Sequence, residues 1–169
     1  MTQDKGLPVI TKSRECGSCT ACCKTHQILE LEKPAGVWCE HCNIGHGCNI
    51  YGDHPQGCKD FACEWLNGLL AEADRPDKTK IVLDYLDLKD AGRITGRIFA
   101  LFEVSEGALS GKFAENLTTS ILLQNGVVFH FPINGNNKLL FMGGGADLPE
   151  KLSIRINGKN TDVIPIQRR

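Results

Sequence analysis

The pattern of apolar and polar residues changes near residue 76. Beyond that point, short runs rich in branched and aromatic side chains are typical of β-strands, and Asn-Gly turns separate several of them. Because proline cannot donate a backbone hydrogen bond, Pro165 favours an edge position for the last run. The predicted strands are KIVLDYLDL (80–88), GRITGRIFALFEV (92–104), GVVFHFPI (126–133), KLLFMG (138–143), KLSIRI (151–156) and DVIPI (162–166).

Two segments instead have the spacing of an amphipathic helix. The first lies between Ser110 and Gln124 and ends at Asn125-Gly126, a favourable helix stop. Its apolar residues recur every four positions, at Phe113, Leu117 and Ile121.

The second predicted helix is KDFACEWLNGLLAEA (59–73), in which Phe61, Trp65 and Leu69 have the same spacing. Asp60 is a candidate N-cap, and Pro76 prevents the helix from continuing. We expect Phe61 and Trp65 to be core residues.

These elements predict an α+β protein in two parts. Residues 1–76 form a small cysteine-rich N-terminal module, and residues 77–169 form a mixed α/β part that contains an antiparallel sheet. The N-terminal part has many glycine and proline breaks and few apolar periods, so hydrophobic burial alone would hardly stabilise it. We therefore expect bound metal to supply part of its folding free energy.

The composition narrows the class of protein. The chain has 169 residues and a net charge of −1, and no basic run is longer than Arg168-Arg169, which argues against a non-specific nucleic-acid binder. The N-terminus lacks the apolar core of a secretory signal, and no apolar run reaches about 18 residues. The sequence therefore predicts a soluble cytoplasmic protein with no membrane contact.

The second half shows no catalytic residues. His130 stands alone in a strand pattern and is interpreted as a strand histidine, and neither a nucleophile motif nor a paired-carboxylate site occurs. The sequence thus favours a protein that is not an enzyme, whose second half contacts a protein partner. It does not predict the oligomeric state.

All nine cysteines lie between residues 16 and 63. Disulfides are uncommon in reducing cytosol, and an odd number would leave one thiol over, so metal ligation is the favoured interpretation. The order is C-x2-C-x2-C-C (16–23), C-x2-C-x5-C (39–48) and then two further cysteines at 58 and 63. A C-x2-C pair lets two sulfurs converge on one ion, whereas the adjacent pair Cys22 and Cys23 should face different centres, or different metals in a shared cluster.

The cysteine spacing does not determine which metal is bound. Without Cys42, eight thiols remain, which suffice for two tetrahedral zinc sites. Cys16, Cys19 and Cys22 equally match the C-x2-C-x2-C run of iron–sulfur proteins, although no proline follows the remote candidates. Zinc is the leading prediction, and an iron–sulfur cluster or iron is the alternative.

Four stretches resemble the YkgJ-like CxxCxxCC cysteine-cluster family, bacterial proteins described as zinc- or iron-chelating domains. They are CGSCTACCK (16–24), KPAGVWCEHC (33–42), GCNIYGDHPQGCKDFACEWL (47–66) and RPDK (75–78). The resemblance continues loosely through ALFEV (100–104) and LLQNGVVFHF (122–131). It implies an aromatic frame of Trp38, Tyr51, Phe61 and Trp65, and eight metal ligands: Cys16, Cys19, Cys22, Cys23, Cys39, Cys48, Cys58 and Cys63.

The chain departs from the family pattern at two positions. His54 stands where members usually have arginine, and Cys42 stands where they commonly have another residue. His41 and His46 are either fourth ligands or exposed loop histidines. A related cysteine pattern holds an iron–sulfur cluster in flagellin lysine methylases, but this chain has no loop for a methyl donor.

The sequence therefore predicts a metal-binding protein with one or two thiolate centres, most simply zinc, that acts as a structural or chelating interaction module. The alternative is an iron–sulfur protein used in electron transfer or as the cofactor part of an enzyme. Two weaker alternatives are zinc-assisted nucleic-acid binding, for which Lys24, Lys59 and Arg75 could cluster in the fold, and metal delivery or storage.

Overall fold

The computed structural model describes residues 14–86, 98–124, 126–135, 137–142, 152–156, 159–163 and 166–168. The α-helices within these residues are α1 (Ala21–Thr25), α2 (Gln56–Asp60), α3 (Pro76–Thr79) and α4 (Lys112–Leu123). Short 3-10 turns occur at Leu29–Leu31, Glu72–Asp74 and Ala108–Ser110.

The strands of the same residues follow the chain as β1 (Cys42–Asn43), β2 (Gly47–Cys48), β3 (Ile81–Leu86), β4 (Ile98–Glu103), β5 (Val127–Phe131), β6 (Lys138–Met142), β7 (Leu152–Ile156), β8 (Lys159–Val163) and β9 (Ile166–Arg168). Helices and sheets are both present, so the α+β class is confirmed. Across the described part of the chain, none of the helices is long and apolar enough to cross a membrane.

The main sheet has the strand order β3-β4-β5-β6-β9, and β1–β2 and β7–β8 form separate two-stranded antiparallel pairs. The main sheet is mixed rather than antiparallel, since β4 is parallel to β5 and β6 is parallel to β9. Helix α4 carries the chain from the end of β4 back to its start, so β5 must run in the same direction as β4. The run 162–166, predicted as one edge strand, is divided between two strands: β8 ends at Val163, and Ile166 begins β9 at the edge of the main sheet. Pro165 is outside the described residues.

The core lies on the sheet. Leu101 of β4 and Phe129 of β5 are 0% and 1% exposed, and Ala114 and Ile121 of α4 belong to the same buried cluster. Phe113 and Leu117 pack against this cluster and are partly buried, which confirms the predicted helix and its apolar face. His130 lies in β5, and Thr118 Oγ1 is 2.9 Å from its Nε2, so it is a hydrogen-bonded strand histidine as expected.

This core continues into the cysteine-rich segment. Ala21, Trp65 and Leu70 belong to the same buried cluster as the sheet residues. Lys24 Nζ also donates to the Val104 carbonyl oxygen over 2.7 Å. The boundary near residue 76 stays a prediction, but the residues before it share buried contacts with the sheet.

The predicted helix over 59–73 is wrong. Helix α2 ends at Asp60, and Phe61 has extended backbone angles (φ −82°, ψ 125°). The Glu64 amide donates to the Leu83 carbonyl oxygen of β3 over 2.9 Å, so it is not available to a helical partner. Trp65 is buried and Phe61 packs against the core as expected, but Leu69 is 51% exposed.

We predict that Leu101→Ala lowers the free energy of unfolding by about 2–5 kcal/mol, because it removes buried methyl groups and leaves a cavity. The matched control is Leu123→Ala, whose side chain is 68% exposed; it should change stability by no more than about 0.5 kcal/mol. Denaturant unfolding followed by circular dichroism measures both. Equal losses in the two variants would contradict this position of the core.

Candidate metal centre

The first cysteines lie in a tight turn and the short helix that follows it. The Cys19 amide donates to the Cys16 carbonyl oxygen over 2.9 Å, and Gly17 within this turn has φ +52°. Glycine suits this position because left-handed backbone angles are costly for residues with a Cβ. Helix α1 then carries Cys22 and Cys23 on neighbouring positions.

The second C-x2-C pair repeats this turn. The Cys42 amide donates to the Cys39 carbonyl oxygen over 3.0 Å. The Cys39 amide itself donates to the Cys23 carbonyl oxygen over 3.1 Å, which joins the two cysteine segments directly. Strand pairing of β1 with β2 then places Cys48 opposite Cys42.

The last two cysteines follow along the chain. Cys58 lies on α2, and the neighbouring Gly57 amide donates to Glu30 Oε1 over 2.9 Å, which anchors that helix to an earlier segment. Cys63 lies beyond the helix and is 7% exposed. None of the nine cysteines, all within the described residues, forms a disulfide.

A cavity of about 180 Å³ brings most of these thiols to one place. Cys42 is not among its lining residues, and apolar side chains also line it, among them Phe61, Trp65 and Val82. The cysteines that line the cavity are Cys16, Cys19, Cys22, Cys23, Cys39, Cys48, Cys58 and Cys63. These are the eight positions that the family resemblance implies as ligands.

The thiols surround the cavity but do not converge on a single point. Across the described ranges, no three histidine, cysteine or carboxylate side chains are arranged so that they could hold a metal ion. Side-chain rearrangement would thus accompany metal binding at this site.

Burial and mutual repulsion raise the pKa of several of these thiols and so favour their protonated form. Burial raises the pKa of Cys16 to about 11, and thiolate charges add to the shift: Cys63, Cys19 and Cys23. A hydrogen bond with Cys22, followed by burial, raises the pKa of Cys23. Burial also raises the pKa of Cys58, with further contributions from Cys23, Cys39 and Cys48. Cys23 therefore interacts electrostatically with both Cys16 and Cys58.

Two basic side chains oppose this repulsion. Lys33 lowers the pKa of Cys23, and Arg75 lowers that of Cys16, although burial outweighs both effects. Arg75 is already paired with Asp77 at 2.6 Å, and it donates to Ser18 Oγ over 3.0 Å. Sequence inspection missed Lys33, since nothing in its local sequence indicates that it is buried.

Two histidines line the cavity, and neither is one of the two that the sequence left open as either fourth ligands or loop histidines. His26 and His54 line it, whereas His41 and His46 do not; His46 is exposed and His41 lies 3.5 Å from Glu40. Both ring nitrogens of His26 have partners, with Nδ1 2.8 Å from Thr25 Oγ1 and Nε2 3.3 Å from Asp84 Oδ2. The pairing with Asp84 spans 58 positions, so no local sequence signal could have shown it.

No protein-family profile, curated protein or solved structure matches this chain. The resemblance to the YkgJ-like family therefore stays a prediction that depends on the cysteine motifs.

We predict that alkylation of the metal-free protein is slowest at Cys39 and Cys63, because each is only 7% exposed while Cys16 and Cys22 are half-buried. Timed labelling with iodoacetamide in the presence of a chelator, followed by peptide mass spectrometry, measures each rate. Labelling of Cys39 and Cys63 as fast as that of Cys16 would contradict the described burial.

Proposed function

We propose that this chain binds metal through thiolates in the cavity, with zinc as the first candidate, and acts as a structural or chelating module. The observation that carries the proposal is the shared cavity, which eight of the nine cysteines line. Soft thiolates in fours are the donor set that zinc and iron–sulfur clusters prefer. The resemblance to the YkgJ-like family supports the same eight ligands.

The residues present fit such a centre chemically. The Cys16–Cys19 turn offers two sulfurs, and the other cysteines that line the cavity add donors from α1 and from later segments: Cys22, Cys23, Cys39, Cys48, Cys58 and Cys63. When bound, zinc would join these segments through its bonds to their sulfur atoms. A site closed by four thiolates has no open position for a substrate, which favours a structural over a catalytic role.

An N-terminal module that depends on metal is consistent with its short elements. Helices α1 and α2 have five residues each, and β1 and β2 have two each. Isolated helices and hairpins of this size are marginal in water, so metal bound by several segments would stabilise them. Binding of a protein partner by the second half stays a prediction.

The alternative, an iron–sulfur cluster, is favoured by the size of the cavity. About 180 Å³ far exceeds the roughly 10–15 Å³ that one water-sized occupant needs. The cavity could therefore hold an inorganic core of several atoms. Electron transfer or a cofactor role would then replace the structural role.

We predict that Cys16→Ser lowers the metal bound per chain, because Cys16 lines the cavity, while the matched control Cys42→Ser retains it. Elemental analysis of anaerobically purified full-length variants measures the content, and circular dichroism verifies that each is folded. Loss of the same amount of metal in both variants would contradict a site built by the cavity thiols.

Adjacent positions on α1 lead to a second prediction. The Cys22 and Cys23 side chains are hydrogen-bonded to each other, so a two-centre site requires their sulfurs to part onto different ions. Cys22→Ser and Cys23→Ser should then each lower metal stoichiometry at a different centre. Native mass spectrometry of the two variants and of the double variant measures this. If both single variants lose the same ion and the double variant loses no more, the two-centre interpretation is wrong.

A further inference from the structure

Lys33 is a buried lysine beside the cavity. It is 6% exposed, and its backbone is fixed by a bridge to Ile28, in which each amide donates to the other residue's carbonyl oxygen over 3.0 Å. Lysine is almost never buried to this extent unless its charge is paired. Its surroundings should therefore contain a compensating negative charge.

The hydrogen bonds of Lys33 do not supply that charge. Its Nζ donates to the Lys24 carbonyl oxygen over 3.1 Å and to that of His26. Both acceptors are neutral. Among the ion pairs of the described residues, none includes Lys33.

The two carbonyls that accept from Lys33 lie next to cysteines. Lys24 follows Cys23 in α1, and the His26 amide donates to the Cys22 carbonyl oxygen over 3.1 Å. Burial lowers the pKa of Lys33, and the charges of four cysteines oppose that shift: Cys39, Cys23, Cys22 and Cys58. All four line the cavity. With protonated thiols the ammonium faces neutral partners alone, an arrangement that costs free energy.

We propose that Lys33 is the buried counter-charge of an anionic thiolate centre, and that it strengthens metal binding by neutralising part of that charge. This inference rests on the proposed function. A zinc ion held by four thiolates has a net charge of roughly −2, so a nearby buried cation is favourable. Lys33 is thus a positioning and charge-compensating residue rather than a ligand.

The other basic residues near the cysteines are less suited to compensate the negative charge of the thiolate centre. Arg75 already forms an ion pair with Asp77 at 2.6 Å. Lys24 is less buried than Lys33, lies 5.6 Å from the centre of the Trp38 ring, and donates to the Val104 carbonyl oxygen. Lys24 therefore provides a matched control, since it also links its ammonium to a backbone carbonyl.

The test measures zinc affinity of the full-length metal-free protein by competition with a chromogenic chelator. Lys33→Met removes the charge and the donor, Lys33→Gln keeps a donor without the charge, and Lys33→Arg keeps the charge. We expect about tenfold weaker zinc binding or more for the Met and Gln variants. Lys33→Arg and the control Lys24→Met should stay close to the wild-type affinity.

Thermal unfolding without metal verifies that each variant is folded and separates a charge effect from a lost packing contact. Equal affinity of the wild type and Lys33→Met would overturn this inference alone. Equal weakening in Lys33→Arg and Lys33→Gln, or in Lys24→Met, would also overturn it. If the wild type binds no metal, the proposed function itself is contradicted. This outcome differs from one in which the wild type binds zinc and the Lys33 variants bind it equally well, which contradicts only the role of Lys33.

Discussion

The packing of the cysteine-bearing segments against β3 and β4 is the contact on which the rest of the structure depends. Trp65 is 3% exposed, and His26 packs its ring between Phe61 and Phe102 at centroid distances of 4.3 and 4.6 Å. Helices of five residues cannot bury enough apolar surface alone, so they depend on packing against the sheet. Val82 of β3 lines the cavity itself, and the thiols are thereby held on one side of a well-packed core.

Burial of the thiols and of Lys33 beside one cavity is electrostatically unfavourable, and a bound metal would reduce this cost. Burial raises the pKa of several cavity thiols and so favours their neutral form, as for Cys16 and Cys58. Meanwhile Lys33, buried next to the same cavity, lacks a carboxylate partner among the described residues. Thiolates bound to a cation satisfy both requirements, because the metal stabilises the thiolates and their excess charge pairs with the ammonium.

The sequence predicted elements whose signals are local. Helix α4 and strands β3 to β6 follow from apolar patterns that are visible in the sequence. The helix over 59–73 failed because the Glu64 amide pairs with Leu83, a tertiary contact that overrides a weak helical period. The parallel pairing of β4 with β5 was missed because the sheet was predicted to be antiparallel, although the intervening helix α4 returns the chain to the start of β4. Buried Lys33 and the His26–Asp84 pair depend on long-range packing, which one sequence does not reveal.

The most direct test of a thiolate metal centre is X-ray absorption at the metal edge, recorded on the full-length protein purified anaerobically without added metal. We predict a coordination shell made of sulfur, with distances near ~2.3 Å if the ion is zinc. An iron edge with both sulfur and iron neighbours would place a cluster in the same cavity and keep the thiolate ligands. A shell dominated by nitrogen and oxygen, or protein without metal, would contradict the central claim.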